Sequence, residues 1–262
     1  MKSLSIAATG MLAQQRNVEV ISNNIANLNT VGFKRQRAEF QDLLYQTLER
    51  AGAISNATGT VVPNGVQIGA GVKTGSVYRI TEQGNVTSTG NDFDLAVSGR
   101  GLFRIQLPDN TEAYSRAGNF AVSADGRIVT EDGYEVLPGI TVPEDAVDVS
   151  ISEDGVVQAR IAGEQQLQEL GQLELATFFN ESGLEAIGDN LLLETSASGE
   201  PVIGNPGEPG FGTILQGFIE TSNVDPVQEI TSLIAAQRAY EMNARVIETS
   251  DEMLATNANL RQ

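Results

Sequence analysis

The sequence predicts an α+β chain: long N- and C-terminal helices pairing as a coiled-coil-like module, with a central, mainly antiparallel β domain. Three observations carry this. Of the 27 glycines, 25 fall between Ala51 and Asn223, together with seven of the eight prolines, so the ends are unbroken and the middle is rich in turns. Apolar residues recur every three or four positions at both ends. Between them, short alternating runs are separated by Asp-Gly pairs. The boundaries drawn from these features are an N-terminal assembly helix over 1–45, an extended segment over 46–75, a β domain over 76–223 and a C-terminal assembly helix over 224–262.

The first helix is expected from about Ser3 to Leu28. Leu4, Met11, Val18 and Ile25 repeat every seven residues, and Ala7, Gln14, Ile21 and Leu28 follow three behind each. Asn27, Asn29 and Gly32 tolerate left-handed backbone and so end it. The last helix has stronger start signals. Asp225 suits an N-cap, Pro226 suits the first helical position, and Gln228 can complete a capping box. Its stripe runs through Ile230, Leu233, Gln237, Tyr240, Ala244, Ile247, Asp251 and Leu254, and the helix could extend to Leu260. Neither helix is stable without burying its apolar face. Two arrangements do so: both helices pack on the central domain, or they pair with each other and with further copies. The stripes are narrow and interrupted by Gln and Ala, which suits helix–helix packing better than docking on a sheet.

In the middle, Asp125-Gly126, Asp132-Gly133 and Asp154-Gly155 are expected as two-residue type I′ turns. Alternation in 93–97 and in 102–107 marks strands, and 173–179 is another. A sandwich or irregular barrel is the natural class. The stretch from about Thr47 to Gly75 is rich in Gly, Asn and Thr and is expected to be a long, mobile loop.

Composition excludes several chemistries. The chain has no Cys, His or Trp, so thiolate and imidazole metal sites and Ser–His or Cys–His nucleophiles are impossible. Nothing in it asks for a cofactor. The net charge is −18, and residues 51–223 alone hold 7 basic and 24 acidic groups. That balance argues against nucleic acid and anionic membranes as partners. No stretch is apolar enough for membrane insertion, and Leu4 to Ala13 is too broken for a cleaved signal. Carboxylates alone could still serve a glycoside hydrolase, with Asp92 and Asp94 or Asp109 and Glu112 as nominal pairs. In so acidic a region such pairs arise by chance, and no Trp platform accompanies them. Gly69 to Gly75 fails the spacing of both phosphate-loop motifs. Arg100, Arg104 and Arg116 form the one close basic cluster of the acidic middle region; they either pair locally with Asp92, Asp94 and Glu112 or face a neighbouring acidic surface.

Ser22-Asn-Asn-Ile-Ala-Asn-Leu-Asn-Thr-Val-Gly-Phe-Lys34 resembles the N-terminal signature of bacterial flagellar rod and hook proteins, with Asn23, Asn24, Ala26, Asn27, Gly32 and Phe33 as its matching residues. Gln216-Gly-Phe-Ile-Glu-Thr-Ser-Asn-Val224 and Ala235-Ala-Gln-Arg-Ala-Tyr-Glu-Met-Asn243 are similar to that family's other end. Residues 94–103 and 113–120 resemble the start of its β domain. The resemblance implies a structural subunit, not an enzyme, that assembles through its terminal helices into a stiff hollow shaft. It also implies export by the flagellar type III apparatus without a cleaved signal peptide. The place implied is the periplasmic rod of the basal body, with self, proximal rod subunits, hook subunits and the P and L ring proteins as partners. Hook subunits of the family are longer. The segment from Tyr45 to about Val66 fits a distal rod subunit, with a proximal rod subunit as the alternative and a peptidoglycan hydrolase as the reading from another class.

Overall fold

The structure, a computed structural model, describes residues 2–49, 64–163 and 166–259. They form two units. One comprises residues up to Ile25, Gln36–Tyr78 and the chain from Asp225 onward; the other comprises Ala26–Arg35 and Arg79–Val224.

The first unit is two helices and a β ribbon. Helix α1 spans Lys2–Ala26, two residues short of the expected end. Its sequence stripe is the sheltered face, since none of Leu4, Met11, Val18, Ile21 and Ile25 is exposed, whereas Arg16 and Glu19 pair at 3.1 Å in solvent. Helix α2 spans Pro226–Asn259, roughly 51 Å at 1.5 Å per residue. Its start is capped as expected: Asp225 Oδ1 accepts from the amides of Val227 (2.9 Å) and Gln228 (3.3 Å). Leu260 lies outside the described residues. The helices run antiparallel. Asn24 meets Glu229 at one level, and fourteen residues along each helix Gly10 meets Asn243. A Cβ at position 10 would lie 2.9 Å from Asn243 Nδ2, so this mid-helix glycine serves close approach.

The ribbon occupies much of what reads as loop. Gln36–Asp42 pairs with Val72–Arg79, and Tyr45–Glu49 pairs antiparallel with Val66–Gly69. Two further bonds join the ladders, Leu43 N–H to the Gly71 carbonyl and Ala70 N–H to the Leu44 carbonyl. Glycines hide these strands from a propensity reading: Gly71, at φ +124°, sits where a Cβ would overlap Thr9, and Gly75 lies close against the Gln41 side chain. The Thr9 hydroxyl accepts from the Val72 amide at 3.3 Å, fastening the ribbon to α1. Residues 50–63 of the expected loop lie outside the described residues.

In the second unit, every strand pair with a defined register is antiparallel. A nine-stranded sheet is organised on Leu102–Gln106, which pairs with Glu112–Ser115 on one side and with Leu175–Thr177 and Glu135–Val136 on the other. A three-stranded meander (Ala146–Ile151, Val156–Ile161, Leu167–Gln172) and two short ladders complete it. Phe103 and Ile105 point inward in the predicted alternation. Leu95, Ala96 and Val97 do not alternate; all three are buried, as in a strand covered on both faces. Phe103 packs edge-on against Phe120 with ring centres 5.0 Å apart, and Tyr114 against Phe178 at 4.8 Å.

The Asp-Gly turns correct the sequence expectation. Each hairpin closes over three residues, not two. The amide of Ser123 bonds the Arg127 carbonyl, Thr130 bonds Tyr134, and Ser152 bonds Val156, each at 2.8–3.0 Å. Gly126, Gly133 and Gly155 take the left-handed position at φ +79° to +85°. The Ser or Thr hydroxyl that opens each loop accepts the amide that closes it (3.1–3.2 Å), a local bond that a two-residue turn has no room for. A two-residue turn with both central residues left-handed does occur, at Asp189 and Asn190, between Glu185–Gly188 and Leu191–Leu193.

These turns predict a graded response. Gly133→Ala meets open space and is expected to cost only the left-handed penalty of about 1–2 kcal/mol. Gly126→Ala adds an overlap with the Val142 carbonyl, worth roughly 1–3 kcal/mol more. Urea unfolding of the two variants side by side measures the difference.

Candidate functional site

In the helical unit the candidate site is the face of each helix. Among the α1 residues named from sequence, Ile21 is buried and Leu4, Met11, Val18 and Ile25 are half-buried; Leu28 is half-buried in the turn that follows. On α2, Leu233, Ala244, Ile247 and Leu254 are half-buried. Ile230 and Tyr240 are not on the covered face: they are 50% and 40% exposed. The covered face instead runs through Glu229, Ala236 and Ser250. The covered face keeps the seven-residue spacing but lies one position earlier than part of the stripe, with Glu229, Ala236 and Ser250 covered where Ile230, Gln237 and Asp251 are exposed. Val227, Ile234, Met242, Val246 and Met253 are exposed as well, so α2 is apolar on two sides. A helix apolar on both sides is made to be covered on both.

The Asn-rich signature binds elements together. Asn24, 1% exposed, donates from Nδ2 to the Gln36 carbonyl (2.8 Å) and to Glu229 Oε2 (3.1 Å), while its Oδ1 accepts the Gln36 amide (2.8 Å). One side chain thereby joins α1, the ribbon and the first turn of α2. Asn23 faces solvent, and Ala26 is the last residue of α1. Asn27 Oδ1 accepts from the Thr30 hydroxyl at 3.1 Å, and the Phe33 amide bonds the Thr30 carbonyl, setting the turn.

Within the β unit the same signature ends on a buried charge cluster. Gly32, left-handed at φ +69°, presses against the Arg116–Ala117 backbone where no Cβ fits, and its amide bonds the Glu220 carbonyl at 2.8 Å. The Glu220 side chain is 1% exposed. Its Oε1 accepts from Lys34 Nζ (2.6 Å) and the Gly84 amide (2.8 Å), and its Oε2 from Arg116 Nε (2.6 Å). Arg116 spends three of its remaining donors on the carbonyls of Val97, Gly99 and Gly101. Burial by itself would raise the Glu220 carboxyl; Arg116, Lys34 and the Gly84 amide outweigh it and hold it below the usual range. Burial lowers Lys34, with Glu220 opposing. Glu220 was not among the residues singled out from sequence. Its signal was slight: one acidic residue at the end of an otherwise apolar strand, Phe218–Glu220.

Comparison with known proteins places these features. Family profiles match at both ends and in the middle: "flagella basal body rod protein" over residues 4–34, "flagellar hook protein FlgE/F/G D1 domain" over 96–159, and "flagellar basal body rod FlgEFG protein C-terminal" over 215–260. The flagellar basal-body rod protein FlgG of Caulobacter vibrioides is 62% identical over 261 residues, covering 100% of both chains. The chain belongs to the flagellar rod and hook protein family. FlgG of Borreliella burgdorferi is 46% identical over 100% of this chain and 99% of its own. FlgF of C. vibrioides is only 32% identical over 96% of this chain and 94% of its own. The contrast within one organism decides between the rod readings in favour of a structural subunit of the distal rod, in the flagellar basal body.

The three arginines of the basic cluster are internally committed. Arg104 pairs with Glu112 (2.8 Å) and Glu174, Arg100 with Glu181 (3.2 Å), and Arg116 with Glu220. The local reading of this cluster holds, with Glu112 the one partner named from sequence. Three of the four nominal hydrolase carboxylates are engaged too. Asp94 accepts from the Thr89 hydroxyl and from Asn91 Nδ2, Asp109 accepts from the amide and hydroxyl of Thr111, and Glu112 is held by Arg104. Among the described residues no group of three or more acidic side chains is arranged to hold a metal.

Removing Glu220 leaves Arg116 and Lys34 buried without a counter-charge. Glu220→Gln is expected to cost about 3–5 kcal/mol. Because the folded pKa is lowered, the stabilisation from Glu220 is complete above its ordinary value of 4.5 and is lost as pH falls through the folded value. Denaturant unfolding from pH 7 down to pH 3 should show that component in the parent chain and its absence in the variant.

Proposed function

We propose that this chain polymerises through α1 and α2 into a stiff, hollow tubular shaft that transmits motor torque to the hook and lets export substrates pass. The observation that carries the reading is α2: one face is covered by its own chain, and the opposite side presents Val227, Ile234, Met242, Val246 and Met253 to solvent. Contacts between unlike patches do not close on themselves and so build a helical filament. Lining the tube with helices leaves the acidic β unit outward, toward the P and L ring proteins. Proximal rod subunits at one end and hook subunits at the other complete the partners. The chain reaches the periplasmic rod through the flagellar export apparatus without a cleaved signal peptide. The named residues of α1 and α2 form the assembly surface, those on the covered faces by shaping each helix pair and Ile230 and Tyr240 by touching neighbours.

The role is structural. A purified preparation is expected to release nothing from peptidoglycan, and measurable turnover on purified cell wall would reinstate the hydrolase reading.

Two variants test the assembly. Ile234→Asp places a charge on an exposed position, so the monomer should fold and melt as the parent does, while polymerisation, followed by light scattering and negative-stain microscopy, should be abolished. Polymers from that variant at parental concentrations would refute the proposal. Deleting about Gln46 to Pro63 takes away most of the strand Tyr45–Glu49 and should give curved or flexible polymers; straight, stiff ones would show that this segment does not brace the shaft.

A further inference from the structure

Two thioethers stand on the side of α2 that its own chain leaves open. Met242 is 61% and Met253 is 59% exposed. Their separation along the helix, at 3.6 residues per turn, sets them about 20° from each other and roughly 100–120° round from the buried Ala236. Val246, also exposed, lies between them and within about 40° of Met242, so the three make one stripe. Met11, on α1, is half-buried on the sheltered face of its helix.

Composition turns this placement into chemistry. The chain has no Cys, so no thiolate competes for a two-electron oxidant, and it has only four Met. With hydrogen peroxide, a sulfur lone pair attacks one peroxide oxygen. The S–O bond forms as the O–O bond breaks, and water leaves. The sulfur loses two electrons and the peroxide gains them. We propose that Met242 and Met253 are an oxidation site through which peroxide withholds the chain from polymerisation. The inference rests on the rod reading, which makes this side of α2 a surface between copies. There a thioether is apolar and adaptable and fits an irregular neighbour. Its sulfoxide is polar, and burying that oxygen costs its hydration. The monomer keeps its fold when oxidised, because neither side chain is buried in it. The reaction therefore acts on a subunit before it joins, and neighbours in the polymer shield both sulfurs afterwards.

Dilute monomer is treated with hydrogen peroxide, and the oxidised positions are mapped by mass spectrometry of peptides. Met242 and Met253 should each gain one oxygen several times faster than Met11, and several times faster than in polymer; equal rates in either comparison overturn the site. The oxidised monomer should melt as the parent does. A lowered melting temperature would place the sulfurs in the monomer's own fold and overturn the proposal. The critical concentration for polymerisation should rise about tenfold or more, the value of one apolar side chain no longer buried, and methionine sulfoxide reductase should restore it. A Met242→Leu, Met253→Leu double variant should polymerise as the parent does, before and after peroxide. Loss of polymerisation in the treated double variant overturns the site, and so does an unchanged critical concentration in the treated parent; both leave the rod reading standing. Failure of the untreated parent to polymerise under any condition overturns both.

Discussion

The Glu220 carboxylate sits where water hardly reaches it and accepts from an ammonium, a guanidinium and a backbone amide. Each donor comes from a different stretch of chain. Lys34 belongs to the segment that follows α1, Gly84 to the entry of the β unit and Arg116 to its main sheet, while Glu220 itself ends the strand before α2. Both routes by which the chain leaves the β unit are therefore tied at one charge. The cost of desolvating these ions is met only when all of them are present, because a partly satisfied cluster is worse than an apolar one. Gly32 is fixed by the same demand, since the backbone it presses on carries Arg116.

A second polar contact does for the helices what this cluster does for the sheet. Asn24, Glu229 and Ser250 lie in the covered faces of α1 and α2 where apolar residues would pack as well. The Asn24–Glu229 bond forms in one antiparallel register and would be broken, with both groups buried, in any other. Apolar side chains supply the attraction, and this pair selects the alignment.

Much of the architecture was legible from residue pattern alone because it rests on local physics. The cap at Asp225, the α1 stripe and the inward Phe103 and Ile105 follow from spacings within one element. What escaped the sequence needed a partner distant in the chain. The ribbon was invisible because Gly71 and Gly75 lower strand propensity, and only Thr9 and Gln41 explain them. Ile230 and Tyr240 lie off the face covered by the chain itself, because the seven-residue spacing fits two neighbouring alignments of α2 and does not say which one is covered. The Asp-Gly pairs marked hairpins correctly but not their length, which is set by the Ser or Thr two positions earlier. Glu220 needed three partners from across the β unit, and no spacing rule reports them. The functional conclusion came from the Asn-rich signature and from the relatives, and the side-chain geometry supplies the reason those residues are used.

The Asn24–Glu229 bond joins residues 205 apart in sequence, whereas the three-residue hairpins close between residues four apart. Chain closure over such different lengths separates the events in time. The hairpins can form as soon as a few residues are free. The helix pair cannot exist until both ends of the chain are present in the same place, because each helix is the other's cover. A chain still threading through any narrow passage thus carries no finished helix pair, however long it waits there. The distance in sequence between α1 and α2 therefore places their pairing after the local hairpins in the order of folding.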